Sequence, residues 1–252
     1  LKYLCADDTQ IVDVQNKITT YGYTICTVNA YCSFTPGGAF YTIQGNNRFD
    51  SNNNGCDASD IAAANLKFNV TNGTVTGSTI SDDSGNYNIP VLAGTHTISP
   101  VLENPSYFTL SPSTSTVTFP AQASPFTQDF CLTANGTHSD VEITLLPLES
   151  ARAGYNSSYK IIYKNKGTTT QSASVNLNFN DSVMNFVNAI PVTTTQLPNN
   201  LYWNYFNLLP FETREITVTL NINAPTDTPA VNSGDILDFN ATITSLAIDE
   251  TP

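Results

Sequence analysis

Charge is scarce in this sequence. Only 12% of its 252 residues are Asp, Glu, Lys or Arg, about half the share near 25% of an ordinary globular chain. Cations are scarcer still, nine Lys plus Arg against 21 Asp plus Glu, for a formal net charge of −12. A nucleic-acid partner needs clustered cations against its phosphates, and none are clustered here, so that class is excluded. An anionic membrane surface repels the chain for the same reason. No run of eighteen apolar residues occurs, so membrane insertion through a helix is not expected. Histidine appears twice, at His96 and His138, far from the five cysteines, and no C-x-x-C pair exists. Zinc sites draw on Cys and His at short spacing, so zinc is not expected. Nor is there a Gly-x-Ser-x-Gly nucleophile motif.

What is present points to folded β-structure. The chain is 40% hydrophobic, with 13 Phe and 12 Tyr, and aromatics in that number mark core formation rather than disorder. Polarity comes from Asn, Thr and Ser, which suit turns and the exposed faces of strands. The length accommodates two domains and a short extra piece. Cys5, Cys26, Cys32, Cys56 and Cys131 read as disulfide formers in an oxidising, extracellular compartment. Cys56 is expected to pair with Cys131, since the two flank one candidate domain. Cys5 is expected to pair with Cys26 or Cys32, leaving one cysteine over.

Residues 1–45 form a small strand–helix segment. Leu1 to Cys5 reads as a strand, Asp7 and Gln10 as a capping-box-like start, and Ile11, Val14 and Ile18 as the single apolar stripe of a short helix ending near Gly22. So few apolar positions cannot build a core alone. The chain opens without an initiator Met, so targeting signals are expected to lie outside it. From Gly45 the composition turns to GNNRFDSNNNGCDASD, which reads as a loop. Short strands then follow through residues 46–134, at Leu66–Val70, Val75–Ile80, Tyr87–Leu92, His96–Ser99, Thr116–Phe119 and Phe126–Leu132, separated by turn clusters.

TANGTHS at 133–139 reads as a linker. Beyond it, in 138–252, alternation becomes strict: Tyr159, Ile161 and Tyr163; Val175, Leu177 and Phe179; Ile216, Val218, Leu220 and Ile222. Period two with one apolar face predicts antiparallel strands packed on a core. About seven such strands match an immunoglobulin-like sandwich, with Trp203 as a core anchor. The fold class is therefore all-β, two tandem antiparallel sandwiches after a small strand–helix cap.

The sharpest local motif is Asp50 to Asp60. Asp50, Asn52 and Asn54 stand at positions 1, 3 and 5 of a calcium-loop pattern with Gly55 at 6. The Cys56 carbonyl falls at 7, and Asp57 and Asp60 could add oxygens. Ala58 and Ile61 occupy positions 9 and 12, so the bidentate carboxylate is missing. The alternatives are a structural calcium ion and an Asx-rich turn. For hydrolysis, Asp82-Asp83 lies in a turn, Glu142, Glu149, Glu212 and Glu215 are scattered, and Glu212 shares parity with Arg214, as an ion pair would. No acid/base pair stands out at the separation glycoside hydrolysis requires.

Three stretches, LKYLCADD, YCSFTPGG with RFDSNNNGCDASD, and ARAGYNSSYKIIYKNKG with LYWNYFNLLPFETREI and IDETP, resemble large secreted or surface proteins of Bacteroidetes, especially flavobacteria. There, leucine-rich repeats precede small β-sandwich modules and a C-terminal sorting domain. The resemblance implies that residues 1–45 cap a repeat domain. Residues 46–134, through SGNYNIPVLAGTHTI, are also similar to the B-type repeats of collagen adhesins, which implies a transthyretin-like sandwich. Some such repeats hold a Lys–Asn isopeptide bond, for which this module offers only Lys67. The functional expectation is a non-enzymatic adhesion or spacer segment at the bacterial surface, with a protein or glycan ligand. The alternative is an accessory glycan-binding or spacer module of a secreted polysaccharide-degrading enzyme. An exposed row of Tyr and Trp would favour the glycan reading.

Overall fold

Alternation along this chain demands two-faced strands, and nearly every strand found buries one face. The computed structural model describes residues 3–31 and 39–250. The chain divides between Asn135 and Gly136 into two compact units, both all-β apart from one short helical segment.

The first unit opens with strand β1 (Tyr3–Cys5), helix α1 (Ile11–Thr20, preceded by a 3-10 turn) and strand β2 (Thr27–Asn29). The apolar stripe performs as its spacing predicts: Ile11, Val14 and Ile18 pack with Leu4, Ala6, Cys26 and Val28. Gly22 follows the helix at φ 77°, the left-handed conformation that ends helices. β2 runs parallel to β1, with Tyr3 opposite Thr27; the alternation rule does not reach so short a strand. Cys26 is buried and free, so it is not the partner of Cys5, which is disulfide-bonded. Cys32 lies outside the described residues.

The rest of the unit comprises β3 (Tyr41–Asp50), β4 (Ile61–Ala62), β5 (Lys67–Thr71), β6 (Thr76–Ile80), β7 (Asn86–Val91), β8 (Gly94–Val101), β9 (Phe108–Ser111), β10 (Ser115–Phe119), β11 (Phe126–Thr127) and β12 (Phe130–Ala134). One sheet runs β10–β8–β5–β6, all antiparallel. The other is organised on β3, which pairs antiparallel with β7 and β4 and parallel with β11 and β12, while β9 joins β12. Between them Ile43, Phe49, Phe68, Ile89, Ile98, Phe119, Phe130 and Leu132 are almost fully enclosed. Phe68 stacks obliquely against Tyr87 and Phe130 at 4.6 and 5.6 Å.

Two expectations change here. Gly45 to Asp50 is strand, not loop. Gly45 is there because a Cβ would collide with the Gln128 carbonyl and the Tyr87 ring. Asn47, on the core face and fully buried, donates its side-chain amide to the Gly85 carbonyl at 2.8 Å, while its Oδ1 meets no hydrogen-bond partner among the described residues. Secondly, the pairing is mixed, because the first and last long strands, β3 and β12, run parallel. Alternation fixes which side of a strand is buried but not the direction of its neighbour.

The cap is fastened to the sandwich by Tyr31. Its ring lies against Gly77 of β6, where any Cβ would approach it closer than 3.0 Å. Its hydroxyl reaches His96 Nδ1 at 3.0 Å. His96 Nε2 stands 2.8 Å from the Leu92 carbonyl, which fixes the neutral tautomer with Nε2–H donating and Nδ1 accepting. Burial pushes the Tyr31 phenol up to about 12, so it remains a donor, and burial pushes His96 below its ordinary value.

The second unit comprises β13 (Val141–Pro147), β14 (Asn156–Asn165), β15 (Gln171–Phe179), β16 (Met184–Ile190), β17 (Thr195–Leu197), β18 (Asn200–Leu208), β19 (Thr213–Ile222) and β20 (Phe239–Ile243). Two four-stranded antiparallel sheets, β13–β14–β19–β16 and β17–β18–β15–β20, face each other. Ile161, Ile216, Val218 and Leu220 from one meet Val175, Leu177, Leu201 and Trp203 from the other. Trp203 is 3% exposed and donates its indole N–H to the Pro191 carbonyl at 3.1 Å, a core anchor with its polar edge satisfied.

Outer faces are knit by uncharged pairs. Thr95–Thr118 and Thr97–Thr116 bond across β8 and β10 at 2.9 Å each. Asn178–Asn200 and Asn156–Asn221 do so in the second unit at 2.9 and 2.8 Å. Such cross-strand pairs contribute roughly 0.2–1 kcal/mol each.

Two outcomes are expected. Cys56 and Cys131 are joined, 75 residues apart in sequence, so replacing both with Ala should cost the first unit about 4 kcal/mol through unfolded-state entropy, read in denaturant melts. His96 is neutral when folded but protonates below about pH 6.5 in the unfolded chain. Stability is therefore full above that pH and falls as pH drops through it, and His96→Gln should flatten this dependence in thermal melts.

Candidate functional site

Each residue of the Asp50–Asp60 motif is placed in one turn. Asp50 ends β3 with a 5% exposed side chain. Its two carboxylate oxygens accept the backbone N–H groups of Asn54 at 3.1 Å and Gly55 at 2.9 Å. Asn52 Oδ1 accepts from the Asn54 N–H, and Asp60 Oδ2 from the Asp57 N–H at 2.8 Å. The Ser59 hydroxyl and N–H hold the Asp57 carboxyl below its ordinary range. Cys56 is tied to Cys131, and Arg48 donates to the Asp60 carbonyl at 2.8 Å. The side-chain oxygens thus face backbone donors within the loop, as in Asx turns. Among the described residues no group of three or more His, Cys, Asp or Glu is placed to hold a metal. The calcium expectation is not supported, and the loop reads as a hydrogen-bonded turn that carries the disulfide.

The remaining titratable candidates are also dispersed. His96 is enclosed with Tyr31, and His138 meets Glu250 at 2.9 Å. Glu142 pairs with Lys166, Glu215 with Lys160, and Glu212 with Arg214 at 2.6 Å, the last as its shared parity with Arg214 anticipates. Asp82 accepts the N–H groups of Asn86 and Ser84, which lower its pKa. Lys67 is exposed, away from the core where an isopeptide bond would form. Glu149 accepts the Ser158 N–H at 2.9 Å.

Hollows open on the surface of the described residues, three of them beside candidate residues. One, of about 590 Å³, lies beside the Cys56–Cys131 bridge and exposes Asn46, Arg48, Asn86 and Asp129. These side chains mostly bond one another: Arg48 Nε donates to Asn46 Oδ1, and Asn46 Nδ2 to Asn86 Oδ1. The other two, of about 320 and 390 Å³, flank Arg152 in the second unit. Sequence reasoning missed Arg152; the available signal is its place in ARAGY, between two strands, beside a Tyr off the alternating pattern. Among the described residues the exposed tyrosines are Tyr21, Tyr23 and Tyr155, Trp203 is buried, and Phe206 is an exposed aromatic on a strand, so no row of Tyr and Trp is exposed on a sheet face there.

No family model matches the chain, and no curated protein matches it. Among solved structures, a DUF3823 family protein from Bacteroides ovatus is 14% identical, covering 82% of this chain and 91% of that one at a TM-score of 0.29. A second DUF3823 family protein, from Parabacteroides merdae, is 8% identical over 75% of this chain and 84% of that one, at 0.27. The full-length major pilin SpaD of Corynebacterium diphtheriae is 9% identical over 78% of this chain and 60% of the pilin, at 0.30. Likenesses of this degree identify neither an activity nor a ligand.

For the Asp50 turn, Asp50→Ala removes the acceptor of two backbone amides and should cost about 1–3 kcal/mol. The loss in melting temperature should be the same in calcium as in a chelator.

Proposed function

We propose that this chain is a non-enzymatic extracellular segment of a larger bacterial surface or secreted protein, and that its first sandwich is a force-resistant spacer. The observation that carries the reading is the parallel pairing of β3 and β12, Asn47 with Phe130 through Asp50 with Thr133. The chain comes into this sandwich at Tyr41 and leaves it beyond Ala134, at opposite ends of one roughly 30 Å strand pair. Tension between those ends shears the ladder, so its hydrogen bonds must fail together rather than one after another. The Cys56–Cys131 bridge short-circuits the chain between them, and it fits an oxidising compartment.

The strand–helix–strand start supports a place after leucine-rich repeats. Its parallel strands are offset by 24 residues (27 − 3), within the roughly 20–29-residue period of such repeats, and one coil could serve as their cap. No helix of the described residues is long and apolar enough to cross a membrane.

Single-molecule stretching between residues 41 and 134 tests the spacer. Reduction should release about 250 Å more chain, the extended length of the 75-residue span, at a rupture force that is high for a small domain. A low, stepwise force in the oxidised protein would sink the reading, as would turnover of glycosides, esters or peptides by the intact chain.

A further inference from the structure

The second unit is threaded differently from the first. β13 starts at Val141 opposite Asn165, and β20 finishes at Ile243 opposite Val175, near the start of β15. Beyond β20 the Thr244 N–H donates to the Ser174 carbonyl, the Glu250 N–H donates to the Ser139 carbonyl, and Glu250 meets His138, each at 2.9 Å. The chain therefore comes in and goes out through one end of this sandwich. Its other end, the outer end of this unit, lies away from both.

That outer end bears the loops between β13 and β14, between β15 and β16, and between β19 and β20, and with them both hollows that flank Arg152. The Arg152–Tyr155 loop is tied down: Gly154 N–H donates to the Ile222 carbonyl at 2.9 Å, and Ile222 N–H returns to the Tyr155 carbonyl at 3.0 Å. On this fixed loop the Arg152 guanidinium is exposed and holds no hydrogen bond or ion pair among the described residues. Asn232 and Asp235 line the hollow on one side of it, Glu149 and Tyr155 the hollow on the other. Tyr155 is 67% exposed, a rigid flat surface with little rotamer freedom to lose. Both hollows fall in the size range of small-molecule sites.

A multidonor cation between two carboxylates suits a ligand whose groups both donate and accept. Hydroxyls do so; a phosphate or nucleic acid does not, and it would face Glu149, Asp235 and the −12 net charge of the chain. We propose that the outer end of the second unit is a saccharide-binding face. Arg152 donates to sugar oxygens, Asp235 and Glu149 accept from hydroxyls, and Tyr155 covers the apolar face of one ring. The inference extends the spacer reading by giving the second unit a ligand, and it does not depend on how the first unit resists force.

The test uses the full chain on an array of immobilised neutral oligosaccharides, followed by calorimetric titration with the strongest binder. Arg152→Ala and Tyr155→Ala should each weaken binding by about tenfold or more, with melting temperatures close to the parent's. Lys166→Ala, at the opposite end of the unit, should bind as the parent does. No binding to any oligosaccharide, or binding that survives both substitutions, overturns the proposal. The stretching experiment reads only residues 41–134, so its outcome and this one fail separately.

Discussion

Strand β3 is the member on which the first unit depends. Among the described residues it is the one strand there that bonds to four others, and it begins at Tyr41 and ends at the loop that carries Cys56. Its demands explain residues that otherwise look misplaced. A glycine sits mid-strand because another backbone and a tyrosine ring press on it, and a buried asparagine stays because its amide meets a carbonyl from the turn before β7. A β-strand with such constraints on both edges has one register available to it, since a slip by one residue would exchange its buried and exposed faces.

The second unit needs no such pivot. Its stability is spread over long ladders whose inward residues are mostly aliphatic or aromatic, with polar Ser157, Asn165 and Gln171 towards the strand ends. This regularity makes its period-two pattern easy to read in sequence. In the first unit the strands are shorter, and the pattern is interrupted wherever the backbone must turn from one sheet to the other.

The difference shows in what sequence alone conveyed. The helix stripe Ile11–Val14–Ile18, the inward Trp203 and the Glu212–Arg214 contact are local and legible; the Cys56–Cys131 pair spans 75 residues and is legible because cysteines are few. The GNNRFD stretch misleads, because Gly and Asn are as useful at a crowded strand as at a turn and the crowding comes from Gln128 and Tyr87, far along the chain. The short strand Phe108–Ser111 lies between prolines and polar turns that hide it. The parallel partnership of β3 with β12 is a matter of topology, on which alternation is silent. The Asp50 motif was legible as chemistry but not as purpose: oxygen spacing alike serves a cation or the loop's own amides, and only the hydrogen bonds distinguish them. Arg152 has only its place in ARAGY to mark it in sequence; the lack of a side-chain partner among the described residues exists only in three dimensions.

The outer faces, finally, determine which solutions this protein tolerates. Threonine hydroxyls and asparagine amides hold neighbouring strands on their wet sides, beside ion pairs such as Lys160–Glu215 and Lys166–Glu142 that are partly open to water. Mobile ions weaken attraction between opposite charges within about a nanometre of solution at ordinary salt, but they leave a hydroxyl–hydroxyl or amide–amide bond untouched. A surface stitched in this way keeps its cross-strand bonds as the salt around it rises, and what salt changes is chiefly the mutual repulsion of its excess carboxylates.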